Sequence, residues 1–253
     1  MRYLYAVLLT VLFFSSCSKS TDSANEPTSG DINGTIQVWD DKLNSLADRS
    51  GVTVTLEKAD GDLIATTNTN GRYEFKNVPF GEYDLVISKS NYGTMQLFDI
   101  RHAKTTTGTA TSTTTTVPSF SFGQKSTTQI TNLSVVSTTF SGGPGVTFGY
   151  TLSPAPTSSN NGYVRFFFGN SVAVTANNYV AFSEVRGISN NGGNVGFSKD
   201  DLIRFGFKAG QTIFVKLYGE SVVSNAYFDA NTGRTVFPNL NEVSPAAVSF
   251  VLP

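Results

Sequence analysis

Hydrophobic and polar residues alternate in short bursts along most of this chain. Tyr73 and Phe75 alternate with Arg72, Glu74 and Lys76, which puts rings on one face of an extended segment and charges on the other. Asn70-Gly71, just before, has the composition of a tight hairpin turn, because both central residues of such a turn need positive φ. Val78-Pro79-Phe80-Gly81 turns the chain again, and Tyr83 to Ile87 alternates in its turn. The stretch Thr69 to Tyr83 therefore predicts the centre of a small β-sandwich. Its neighbours extend the pattern. Ile32, Gly34, Ile36 and Val38 form one strand, Val52, Val54 and Leu56 line a second, Leu63 to Asn68 makes a third, and Met95 to His102 closes the series. Ala59-Asp60-Gly61-Asp62 and Asn91-Tyr92-Gly93 supply the turns. Short strands with turns every eight to twelve residues indicate a sandwich or barrel, and no amphipathic helical period of useful length interrupts them.

Thr105 to Val117 is almost all threonine. It is either a linker or a last strand of the first unit, since threonine favours extended chain; the turn at Lys104 to Gly108 favours a hairpin back onto the first sheet. After it the pattern restarts. Ile130, Leu133, Val135 and Val136 begin a strand, Gly142-Gly143-Pro144-Gly145 turns it, and Val146 to Leu152 returns. Tyr163 to Phe168 is aromatic on both faces, which predicts a central strand. Ile203, Phe205 and Phe207 alternate with Arg204 and Lys208, Thr212 to Tyr218 forms a strand after the turn at Lys208 to Gln211, and Ala247 to Leu252 closes the chain. The fold class expected is all-β: a sandwich over residues 30–123 and a second, Ig-like or fibronectin-like, over 127–253. The second lacks the Cys-Trp-Cys signature of immunoglobulin domains, so it is read as that architecture only.

The first half carries a recognisable series: Gly34-Thr35-Ile36, Gly51-Val52-Thr53-Val54, Thr69-Asn70-Gly71-Arg72-Tyr73-Glu74-Phe75, Val78-Pro79-Phe80-Gly81-Glu82-Tyr83 and Tyr92-Gly93. It resembles the carboxypeptidase regulatory-like domain, over roughly Gly30 to His102. The resemblance implies a transthyretin-like sandwich of about seven strands. In other proteins the domain sits beside zinc peptidases or outer-membrane receptors. This chain has neither the peptidase's ligands nor a barrel, so what carries over is a structural or binding module.

The N-terminus reads as an address. Met1-Arg2 is followed by an apolar run from Tyr3 to Phe14, too short to span a bilayer but suited to the h-region of a secretory signal. Phe13-Phe14-Ser15-Ser16-Cys17 resembles a bacterial lipoprotein box, with Phe14 in place of the usual Leu. The resemblance implies cleavage after residue 16 and acylation of Cys17. Several acyl chains then anchor the protein in the membrane, each buried methylene contributing about 0.8 kcal/mol. Residues 17–29 are polar and read as a flexible tether. Asp22-Ser23-Ala24 resembles the short O-glycosylation motif of Bacteroidetes, with Ser23 as acceptor. The expected location is the cell envelope, in the outer membrane, with its face open.

Composition narrows the function. Over 253 residues the net charge is −1 with 15% charged residues, so a nucleic-acid partner is not expected. With one Cys and one His, neither a disulfide framework nor a Cys/His metal cluster can form within the chain. No Gly-x-Ser-x-Gly elbow is present, and His102 reads as a surface residue at a strand end. Asp60 and Asp62 read as a solvated turn rather than a Ca²⁺ site. Asp40-Asp41 and Asp200-Asp201 read as loop residues, with Ser198 to Asp201 forming a capping box for one short turn. No pair of carboxylates is nominated for hydrolysis. The chain is therefore expected to be non-catalytic, with no metal and no cofactor.

Aromatic residues give the one binding hint. On Thr212 to Tyr218, Ile213, Val215 and Leu217 share one face, and Phe214, Lys216 and Tyr218 share the other. If the first face is core, the rings of Phe214 and Tyr218 either stack on a sugar or pack under a loop or against the first domain. The expected function is a cell-envelope lipoprotein acting as a structural or protein-interaction module. The alternative is a glycan-binding surface lipoprotein of a saccharide-uptake system. The partners are then the membrane, through the lipid, and either another envelope protein or a glycan.

Overall fold

A computed structural model describes residues 26–58, 60–157, 160–189 and 193–253. The signal segment, Cys17, Ser23 and nearly all of the tether lie outside the described residues. The described chain is almost entirely β-strand and builds two β-sandwiches.

The first uses ten strands: β1 (Ser29–Trp39), β2 (Thr53–Glu57), β3 (Leu63–Thr66), β4 (Arg72–Pro79), β5 (Gly81–Ser88), β6 (Met95–His102), β7 (Thr105–Thr107), β8 (Ala110–Ser112), β9 (Thr115–Thr116) and β10 (Phe120–Gly123). One sheet runs β10-β1-β4, with β9 beside β10 on the same edge of β1; the other runs β3-β2-β5-β6. Strict alternation makes both faces. In β1, Ile32, Ile36 and Val38 point inward and meet Val54, Leu56, Leu85 and Ile87 of the opposing sheet. β1 pairs antiparallel with β4 but parallel with β9 and β10.

The turns around β4 differ from expectation. β3 and β4 belong to different sheets, so Asn68 to Gly71 carries the chain across the sandwich instead of closing a hairpin. Positive φ falls on Gly71 (φ 77) and not on Asn70. Asn68 organises the crossing by accepting from the N–H groups of Asn70 and Arg72 through its side-chain oxygen. Gly71 lies so close to β1 that a Cβ would sit 2.2 Å from the Ile36 carbonyl oxygen, which is itself backbone and cannot move aside cheaply. Gly71→Ala is expected to cost well over 1 kcal/mol, from positive φ and the clash together. Asn70→Ala should stay within about 0.5 kcal/mol. Urea unfolding of the two variants side by side measures the difference.

The threonine-rich stretch divides. β7 and β8 form an exposed two-stranded ribbon that pairs with no larger sheet, while β9 joins β1. His102 is a correction. It is 1% exposed, not a surface residue. Its Nε2 donates to the Val78 carbonyl at 3.2 Å, which leaves Nδ1 to accept from the Thr115 hydroxyl at 2.7 Å. The imidazole thus ties β6 and β9 to the end of β4, with Phe80 packed edge-on at 5.0 Å.

The second sandwich contains β11 (Gln129–Phe140), β12 (Gly143–Ser153), β13 (Gly162–Gly169), β14 (Ala181–Phe182), β15 (Arg186–Ile188), β16 (Gly193–Ser198), α1 (Lys199–Arg204), β17 (Thr212–Gly219), β18 (Tyr227–Asp229), β19 (Arg234–Val236) and β20 (Val248–Val251). Sheet β11-β12-β16 faces sheet β14-β13-β17-β20, and β15 also pairs with β13. Rings fill the space between them: Phe168 and Phe197 are 5.1 Å apart, Phe148 and Phe166 5.3 Å. The segment around Ile203, whose alternation suggested a strand, is α1 and a following turn. The capping box expected at Ser198 is present and starts the helix: the Ser198 hydroxyl accepts from the Asp201 N–H, and the Asp201 carboxylate accepts from the Ser198 N–H. Those bonds from Ser198 hold the Asp201 carboxyl below its ordinary value.

Candidate functional site

β13 is aromatic on both faces because three layers meet there. Val164, Phe166 and Phe168 face the sandwich core, while Arg165 and Phe167 face outward beneath a second apolar cluster with Val174, Tyr218, Phe237 and Leu240. The outward face of β17 is therefore roofed. Tyr218 is 8% exposed and its ring lies edge-on to Phe167 at 5.6 Å; Phe214 is half-buried against the same cluster. Residues 174–182 and 237–240 fold back over this pair of rings. Of the two alternatives, packing under a loop is what the structure has.

Arg165 pins this roof. Its Nε donates to Glu220 Oε2 at 2.8 Å, its Nη1 donates to the Ser183 carbonyl at 2.6 Å, and its guanidinium carbon sits 4.6 Å from the Phe237 ring centre. Glu220 is fully buried. Burial pushes its carboxyl up, and the Arg165 charge and hydrogen bond oppose that.

On the outside of the roof, the β18-β19 hairpin and Tyr179 form a groove of about 400 Å³. Phe228, 60% exposed, lines it together with Val180, Thr232, Arg234 and Thr235. The walls are held firmly. The Tyr179 hydroxyl donates to the Thr235 carbonyl at 3.1 Å and accepts from the Thr235 N–H at 3.0 Å. Arg234 Nη1 donates to the Tyr179 carbonyl at 3.0 Å, and its guanidinium lies over the Tyr179 ring at 5.3 Å. The exposed ring of this region is therefore Phe228 and not a ring of β17. Its local signal was there: Ala230-Asn231-Thr232-Gly233 is turn chemistry between two short alternating runs. A groove of about 470 Å³ on the first sandwich is lined by Asn33, Thr35, Asn68, Arg72, Glu74 and Thr116, with Tyr73 buried at its base and no exposed ring.

The two sandwiches meet at a buried polar joint. Asn239, 0% exposed, accepts from the Gly93 N–H at 2.9 Å, and its Nδ2 donates to the Val223 carbonyl and to Asn225 Oδ1. Its own carbonyl accepts from Ser126 N–H. Asn225, at φ 51, accepts from Gly123 N–H and donates to the Ser121 carbonyl. Asp41 is part of this joint and not a free loop residue: it is 5% exposed and accepts from the N–H and hydroxyl of Thr127, each at 2.7 Å. Gly93 packs so tightly that a Cβ would lie 2.2 Å from the Pro238 carbonyl oxygen.

Asp40, Asp60 and Asp62 also have structural partners. Asp60 pairs with Lys58 at 3.2 Å, Asp62 accepts from the Lys58 N–H, and Asp40 accepts from the N–H groups of Lys42 and Asn44. Among the described residues no cluster of three or more His, Cys, Asp or Glu side chains could hold a metal ion, and no helix is long and apolar enough to cross a membrane.

This architecture belongs to the β-sandwich class. The family model described as BOS complex subunit NOMO1-like, second beta sandwich domain, matches residues 31–116, about a third of the chain. No curated protein matches. Among solved structures, a putative carbohydrate binding protein from Bacteroides uniformis is similar at TM-score 0.32 and 11% identity, covering 88% of this chain and 98% of that one. A DUF3823 family protein from Parabacteroides merdae is similar at TM-score 0.30 and 9% identity, covering 89% and 100%. A cohesin–X–dockerin complex from Acetivibrio cellulolyticus is similar at TM-score 0.29 and 21% identity, covering 38% and 59%.

Proposed function

We propose that this chain is a non-catalytic lipoprotein of the cell envelope that holds a binding surface at a set distance from the membrane. The observation that carries the reading is the path of β1. The chain enters the first sandwich beside Lys104, which pairs with Glu26 at 2.6 Å, and runs along β1 for 11 residues, roughly 36 Å. It leaves at Trp39, whose carbonyl accepts from the Gln124 N–H directly beside the joint. The point where the described chain begins, at Glu26, and the second sandwich are therefore at opposite ends of the first. With Cys17 acylated, the first sandwich, similar to carboxypeptidase regulatory-like domains, is a stiff spacer and the second is the displayed body. Radiolabelled palmitate should enter the protein and be lost in Cys17→Ala. Crosslinking in intact cells should then capture a partner through the second sandwich. Absence of label removes the anchor; crosslinks confined to the first sandwich remove the display role.

A second reading, that the displayed surface binds a glycan, is favoured by Phe228. A ring this exposed beside a braced polar groove offers a stacking face for a sugar, with hydroxyl and guanidinium donors alongside.

A further inference from the structure

The groove beside Phe228 carries a guanidinium that makes no ion pair within the described protein. Arg234 has no carboxylate within 4.0 Å among the described residues. Asp229 faces Arg234 across the β18-β19 ladder, yet its carboxylate is committed to its own turn. There Oδ1 accepts from the Asn231 N–H at 2.9 Å and Oδ2 accepts from the Thr232 hydroxyl at 3.0 Å. Arg234 is held in place on one side, by Nη1 to the Tyr179 carbonyl and by the Tyr179 ring beneath it. A guanidinium has five N–H donors in a planar fork that matches a carboxylate, and no other bond from this one is formed within the described protein. A half-buried, positioned cation with spare donors, next to an exposed aromatic ring, suits a ligand with an apolar face and an anionic edge.

We infer that the groove of Tyr179, Phe228, Thr232 and Arg234 binds a carboxylated saccharide, such as a uronic-acid oligomer. Phe228 takes the C–H face of one ring and Arg234 takes the carboxylate. The inference rests on the glycan reading and goes further by assigning the place and the charge of the ligand. Charge-assisted contact to a positioned guanidinium is expected to favour the acid over its methyl ester by about tenfold in Kd. The preference should shrink as salt is raised, because the groove is open.

The test is a binding titration of the purified protein against a panel of uronate oligosaccharides, their methyl esters and neutral oligosaccharides. The expected result is acid binding with the stated preference. Arg234→Gln should abolish the preference, Arg234→Lys should retain part of it, and Phe228→Ala should weaken acid and ester alike. Near-UV circular dichroism of each variant checks that the roof stays packed. Binding of neutral sugars alone, or an acid preference untouched in a folded Arg234→Gln protein, overturns the inference and leaves the glycan reading standing. Binding of nothing in the panel overturns both.

Discussion

Asn239→Ala is expected to uncouple the two sandwiches. The substitution removes an amide that serves three groups at once: the buried Gly93 N–H and the half-buried Val223 carbonyl and Asn225 side chain. Each buried polar group left without a partner costs about 1–3 kcal/mol, so the joint should lose about 2–4 kcal/mol even after some rehydration. The Gly93 bond crosses directly to the first unit, while the bonds to Val223 and Asn225 lie within the second and brace Asn225, which in turn reaches Gly123 and Ser121. Calorimetry should show two separated transitions, small-angle scattering a broader distribution of shapes, and proteases new cleavage between Gln124 and Thr128. Asn225→Gly offers a milder version, since glycine keeps the left-handed backbone at that residue while deleting the amide. One unchanged transition together with unchanged scattering in Asn239→Ala would show that the joint does not set the geometry, and the spacer role would fall with it.

Glu220→Ala should be the most damaging single change in the second sandwich. It leaves the Arg165 guanidinium, 6% exposed, without its counter-charge inside the roof. Breaking one side of a buried ion pair typically costs 3–5 kcal/mol, most of it the penalty for the charge left behind. Replacing both partners, as Arg165→Met with Glu220→Leu, should recover most of that loss, because the apolar neighbours Phe182 and Phe237 are already in place. Guanidinium unfolding of the single and double variants measures this. A double variant as unstable as the single one would mean that the pair is needed for more than mutual neutralisation. The Glu220→Ala roof should also loosen, exposing Tyr218 and widening the groove outside it.

Alternation along β1, β2, β4 and β5 was enough to read the first sandwich, because a period of two with one buried face has few other solutions. The same rule was silent about the partner of each strand. Asn70-Gly71 looks like a hairpin turn, and the difference between closing a hairpin and crossing to the other sheet lies in which strand β1 accepts as its neighbour. The surroundings of Phe214 and Tyr218 were left open for a related reason. Alternation identifies two faces of β17 but not what covers the second one, and the cover comes from residues up to about forty positions away on either side. His102 is similar: a strand-end imidazole reads as exposed until Thr115 and Val78 are brought to it.

From residue order alone, this chain is committed to short amphipathic strands, to glycine at the crossing near β1, to a capped turn of helix at Ser198, and to an apolar run from Tyr3 to Phe14 shortly before its one cysteine. Each follows from forces acting within a few residues: pleating, backbone sterics, a local hydrogen bond, an unbroken apolar run. Tertiary structure alone decides the polar joint, the roof over Phe167 and the groove around Arg234. Those depend on which buried polar groups meet across long stretches of chain, and burial of a polar group is tolerated only where a partner from elsewhere arrives to satisfy it.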